Sequence, residues 1–173
     1  MCSSDLDGSD GFYFVRLAYA DKVASLFDAE LAERMKPVTD TVTVNGEQWV
    51  VGHSRLDIGQ VINVFDGQKE TLMRGQEANP FLLDIAFPTP HSLKGLEMSF
   101  GAMDMELTAN IYTEGNATPT QYTNLQKGLP PDPTVIWLFG TPMNNVTRIQ
   151  IWVRDVNQRD RANVHVREVR LLE

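Results

Sequence analysis

Apolar and polar residues alternate along most of the chain in the way that strands require. Met103, Met105, Leu107, Ala109 and Ile111 alternate with Asp104, Glu106, Thr108, Asn110 and Tyr112, the period-two signature of a strand with one face in a core and one in water. Ile149, Ile151 and Val153 alternate in the same sense with Gln150, Trp152 and Arg154. Compact apolar runs over 81–87, 93–100 and 135–139 predict further strands. They are bounded by Asn79-Pro80, by Pro88-Thr89-Pro90 and by the prolines of 129–133. Proline lacks the N–H a ladder needs, so each of these clusters predicts a turn or a stiff connection. Short strands at this spacing predict an antiparallel β-sandwich over 57–173.

The period changes towards the N-terminus. Leu17, Ala20, Ala24 and Phe27 fall on one helical face, which predicts a helix over 12–35, with Asp28 capping a second stretch and Pro37 ending it. Residues 7–40 are thus expected to be the helical tail of an upstream region. Asn45-Gly46 between two β-prone runs predicts a hairpin over 41–56, because both central residues of a type I′ turn need positive φ. Met1-Cys2-Ser3-Ser4-Asp5-Leu6 reads as the in-frame translation of a sequencing adaptor, so residues 1–6 are expected to be an artefact and the natural N-terminus to lie upstream. A genuine N-terminal segment is the alternative.

Composition narrows the class of partner. A formal net charge of −8 and 22% charged residues disfavour a phosphate backbone or an anionic lipid surface as partner. No apolar run reaches membrane-spanning length. With Cys2 as the one cysteine, neither an internal disulfide nor a cysteine-based zinc cluster can form. The sequence holds no nucleophile elbow and no phosphate-binding glycine loop. His53, His91 and His165 are scattered, and Asp104 with Glu106 reads as a solvated pair. Residues 155–160 resemble an oxygen-rich loop but read as a strand-to-strand turn, since Arg159 and Arg161 oppose a cation.

Phe65-Asp66-Gly67 with Thr71 and Leu72, then 93–100, 147–152 and 166–171, together resemble the frame of discoidin-type (coagulation factor type C-like) and other galactose-binding-like domains. The resemblance covers about the last two-thirds of the chain. A narrower similarity is to the C-terminal domains of bacterial dolichol-phosphate-mannose-type membrane glycosyltransferases. It implies a mainly β fold, an antiparallel jelly-roll β-sandwich with a short N-terminal helical segment, without catalytic activity of its own. It also implies an extracytoplasmic location in a bacterium, with a glycan or polysaccharide and the parent protein's other domains as partners. In such domains the first loop and an acidic residue of the last strand often enclose a structural Ca²⁺, which here implicates Asp66 and Glu168, with Gly67 or Thr71 adding oxygens. The chain departs from the pattern at Met73-Arg74, where many members carry Trp. Ligands on this fold usually meet the loops at one end, which points to Arg74 and Asn79. Trp152 and Arg154 are of the right type for stacking on a sugar and pairing with its hydroxyls. The alternative is a structural or protein-interaction sandwich with no small-molecule ligand.

Overall fold

In the computed structural model the backbone is described for residues 8–173, and side chains from Tyr19 onward with Arg34 excepted. The adaptor reading of residues 1–6 lies outside that range, as does the Leu17 side chain. Helix α1 (Gly8–Arg34) is continuous, so the expected restart at Asp28 does not occur: Asp28 sits mid-helix, and Pro37 lies beyond the helix end. Residues up to Glu33 form one compact unit and Arg34–Glu173 another.

The second unit begins with strand β1 (Val38–Val44), three residues inside the span expected to be helical. β2 (Glu47–His53) follows across a turn in which Asn45 has φ 50° and Gly46 φ 87°, the left-handed pair that a type I′ turn demands. Next come β3 (Leu56–Ile58), a 3-10 helix (Val61–Val64), β4 (Met73–Gly75), β5 (Phe81–Phe100), β6 (Met105–Thr113), β7 (Thr120–Gln126), β8 (Thr134–Asp155) and β9 (His165–Leu172). β7 carries no apolar alternation and is not anticipated by the pattern.

β5 and β8 each span what the sequence presents as two strands. They pair antiparallel from Phe81↔Val153 to Ser99↔Thr134, with register shifts between Ala86 and Gly95. At those shifts the two strands bend, and their halves enter different layers. One layer runs β1-β2-β5-β8-β6-β7 through residues 83–86 of β5 and 146–155 of β8. The other runs β3-β4-β9-β5-β8 through residues 95–100 and 134–138. Inward side chains from both layers, among them Leu83, Ile85, Ile149, Met98, Phe100 and Trp137, merge in one core. Each such residue contributes about 1.5–3 kcal/mol through its removal from water. The result is the mainly β antiparallel sandwich that the sequence predicts.

Candidate functional site

Two places gather functional side chains. The first lies where the loop after the 3-10 helix meets β9. Ser99 pairs with Glu168 and Phe100 with Val166, so Arg167 is an extra residue and β9 carries a bulge. Bulges re-aim side chains. Here Val166 and Val169 both stay buried, while Glu168 turns to the groove it shares with Asp66 and Gly67. Burial pushes the Glu168 carboxyl up to about 6; the Gly67 N–H holds back part of that rise and the Asp66 charge adds to it. Glu168 Oε2 is buried without a hydrogen-bond partner.

On the loop side, Asp66 Oδ1 accepts from the Gln68 N–H at 2.8 Å. Thr71 Oγ1 lies 3.0 Å from the Asn63 carbonyl, 3.1 and 2.9 Å from the two Asp66 oxygens and 2.7 Å from the Gln68 carbonyl. A hydroxyl has one proton to donate, so most of these contacts are oxygen against oxygen. Of the residues expected here, Asp66, Thr71 and Glu168 come together. Gly67 contributes an N–H towards Glu168, where the sequence suggested an oxygen. Among the described residues no group of three or more His, Cys, Asp and Glu gathers; this cluster holds two acids, and its other oxygens are a hydroxyl and carbonyls.

The second place is the outer face of the first layer. In-register pairing sets Trp152 beside Thr108 and Arg154 beside Glu106. With Pro80 these residues line a shallow depression of about 330 Å³. Trp152 is half-buried there and Arg154 exposed. A larger depression of about 810 Å³ lies along β1 and the 3-10 helix, lined by aliphatic residues such as Val42, Val61 and Ile62 and by polar ones such as Asp40, Thr41 and Gln60 around a buried His53, with no Trp, Tyr or Phe ring to stack on a sugar.

Arg74 lies apart from Trp152 and Arg154, Asn79 borders their depression through Pro80 and Asp155, and each has a partner inside the fold. Arg74 sits on β4 in the other layer, where its Nε and Nη2 donate to the Asp57 carboxylate at 2.6–3.1 Å, and each of the pair lowers or raises the other's pKa towards the charged form. Asn79 is 2% exposed. Its amide donates to the carbonyls of Asp155, Gln158 and Arg159 and accepts from the Asp155 N–H. It therefore clamps the β8–β9 turn, and its expected place among open ligand contacts is corrected. Asp104 likewise anchors loops, accepting from Asn157 and the Gly128 N–H. His91 bridges Glu47 and Glu173.

No family model and no curated protein matches the sequence. Solved structures match the fold. A coagulation-factor type C domain from Bacteroides fragilis is 15% identical at a TM-score of 0.59, covering 77% of this chain and 95% of its own. The family 32 carbohydrate-binding module of C. perfringens NanJ, solved with galactose, is 11% identical at 0.54, covering 79% and 93%. A Ruminococcus gnavus fucosidase of family 29, solved with fucose, is 12% identical at 0.58, covering 72% of this chain and 25% of its own. The chain thus spans a quarter of that enzyme's length. At these identities the likeness carries the discoidin-type β-sandwich fold and nothing finer.

Proposed function

We propose that this chain is a non-catalytic carbohydrate-binding accessory domain, and that a sugar ring lies on Trp152. The half-buried indole between Arg154, Glu106 and Thr108 carries the proposal: a pyranose stacks its C–H face on an aromatic ring and pairs its hydroxyls with planar or charged side chains at the rim. The module belongs to a larger extracytoplasmic bacterial protein, a membrane glycosyltransferase, and holds glycan near that protein's active site. Tethering raises the effective concentration of a weakly bound glycan. No helix among the described residues is long and apolar enough to cross a membrane.

A structural Ca²⁺ at the first loop belongs to the same proposal. The donor set fits it: a buried carboxylate oxygen without a partner and several oxygens sharing one proton suit a cation that takes six to eight hard oxygen ligands. Asp66, Thr71, Glu168 and the carbonyls of Asn63 and Gln68 would hold it. Its part is to join first loop to last strand.

Glycan-array binding by the wild-type chain tests the sugar site, with Trp152→Ala expected to lower the signal by about tenfold or more while melting unchanged. An array blank for the wild type sinks the reading and favours the alternative of an interaction domain. Ile136 and Leu138, 63% and 65% exposed on the outer face of the second layer, are the observation that favours that alternative.

A further inference from the structure

The depression at Trp152 is one end of a longer built surface. Four residues further towards the start of β8, Arg148 places its guanidinium 5.1 Å from the centre of the Tyr112 ring. The same guanidinium grips Asp84 through two bonds of 2.7 and 2.5 Å. Gln150, midway between Arg148 and Trp152, donates to Asp84 at 3.0 Å and accepts from the Tyr112 hydroxyl at 3.0 Å. Asn110 lies beside Gln150 and takes a bond from Gln121 at 3.0 Å. An aromatic ring therefore stands at each end of a row whose middle is a fixed floor of amides and one paired carboxylate.

A face that merely meets water has no need of this arrangement. Solvated strands usually project long mobile side chains, yet among the described residues no lysine projects from this face of β5, β6, β7 or β8. Apart from Glu106 and the exposed Leu125 opposite it, what projects is planar or short, and planar rings and amides offer contact area at low conformational-entropy cost. The ionic groups come as opposed pairs, Arg148 with Asp84 and Arg154 beside Glu106, so the row carries no excess of either sign. From Trp152 to Arg148 is about 13 Å along the strand, the span of about three linked pyranose rings.

We infer that this face binds the interior of a neutral, linear glycan chain running along β8, with the Trp152 depression as one subsite and the Tyr112–Arg148 pair as another. The inference rests on the Trp152 reading and extends it from a single ring to a chain. It differs from a loop-end site, which would grasp a terminal sugar.

Native affinity gels containing xylan, β-1,4-mannan or β-1,4-galactan, followed by calorimetry with oligosaccharides cut from the polymer that retards the chain most, provide the test. The expected result is affinity that climbs about tenfold or more between one unit and four and then levels off. Tyr112→Ala should remove most of that climb while leaving the weak single-unit binding in place. Arg148→Lys, which keeps the charge but loses the flat two-bond grip, should do so in part. A single sugar that binds as tightly as the polymer overturns the chain and leaves the Trp152 site standing, as does an array signal for terminal sugars with no retardation by any of the three polymers. Silence from both array and gels ends the two readings together. Tighter binding to polygalacturonate than to the neutral polymers overturns the neutral class.

Discussion

Glu168 is held where its charge is disfavoured, and that fixes how stability should depend on pH. Its carboxyl titrates near 6 when folded, against 4.5 as the ordinary value. Between those two values the folded chain keeps a proton that the unfolded chain has lost. Stability from this group is therefore present at low pH and fades as pH rises through about 6. In chelator, the wild-type melting temperature should fall relative to Glu168→Gln as pH goes from 5 to 7; parallel profiles would show that the group titrates normally. Millimolar Ca²⁺ should reverse the trend, raising the wild-type melting temperature by several degrees at pH 7 and less at pH 5, because the cation needs the ionised carboxylate. Arg74 and Asn79 divide differently. Arg74→Ala removes a pair whose side chains are each 28% exposed and should cost about 1 kcal/mol or less, with no effect on glycan binding. Asn79→Ala strands several buried carbonyls and an N–H and should cost about 2–4 kcal/mol in denaturant unfolding. Both residues are polar and near a turn in sequence, and nothing local separates them. The partners that decide their roles lie 17 residues away for one and 76 or more for the other.

At the scale of elements, the sandwich depends on two strands that bend without ending. The prolines at 88 and 90 read as strand ends, since a proline cannot donate to a ladder. No β8 residue pairs with β5 between Ala86 and His91, so the missing donors cost nothing there and the chain passes straight into the other layer. Period-two alternation reports which face is buried, and is silent about the layer to which a strand belongs. The bulge in β9 left a trace, two inward valines three residues apart at 166 and 169, that strict alternation does not allow. Where the uninterrupted second register of β5 begins, Gly95 lets the strands close: a Cβ there would stand 2.3 Å from the Trp137 carbonyl oxygen and 3.0 Å from Leu138 Cα. Both are backbone atoms and cannot swing aside. Gly95→Ala should lower stability by about 2 kcal/mol or more, whereas Gly115→Ala, in open space at φ 75°, should show only the smaller strain of a left-handed alanine. Equal losses in the two variants would mean that β5 and β8 can separate at no cost.

In the whole molecule the oxygen-rich loop and the proposed glycan face are separated by the core. Asp66 and Glu168 sit where the first loop meets β9, in the layer built from β3, β4 and β9, and Trp152, Gln150 and Arg148 look outward from the other layer. The fold class was legible because burial imposes a period on the strands that line the core, β6 and β8 above all. The Trp152 face was legible only as residue types: Trp152 and Arg154 were visible in one strand, but Glu106, Thr108 and Asp84 join them through pairing between distant segments. Between the loop and that face lie close-packed inward residues such as Ile85, Ile149 and Phe100, each with no exposed surface, and a packed core shifts as a unit rather than relaying a small local change. Occupation of the loop by Ca²⁺ should thus stabilise the sandwich without tuning the glycan face. With a polysaccharide that retards the chain in gels, chelator should lower the melting temperature by several degrees yet change the affinity, measured well below melting, by less than about twofold. A chelator effect on affinity as large as that of Trp152→Ala would mean that the two layers move together, and would place the glycan at the loop end near Asp66 instead of on the sheet.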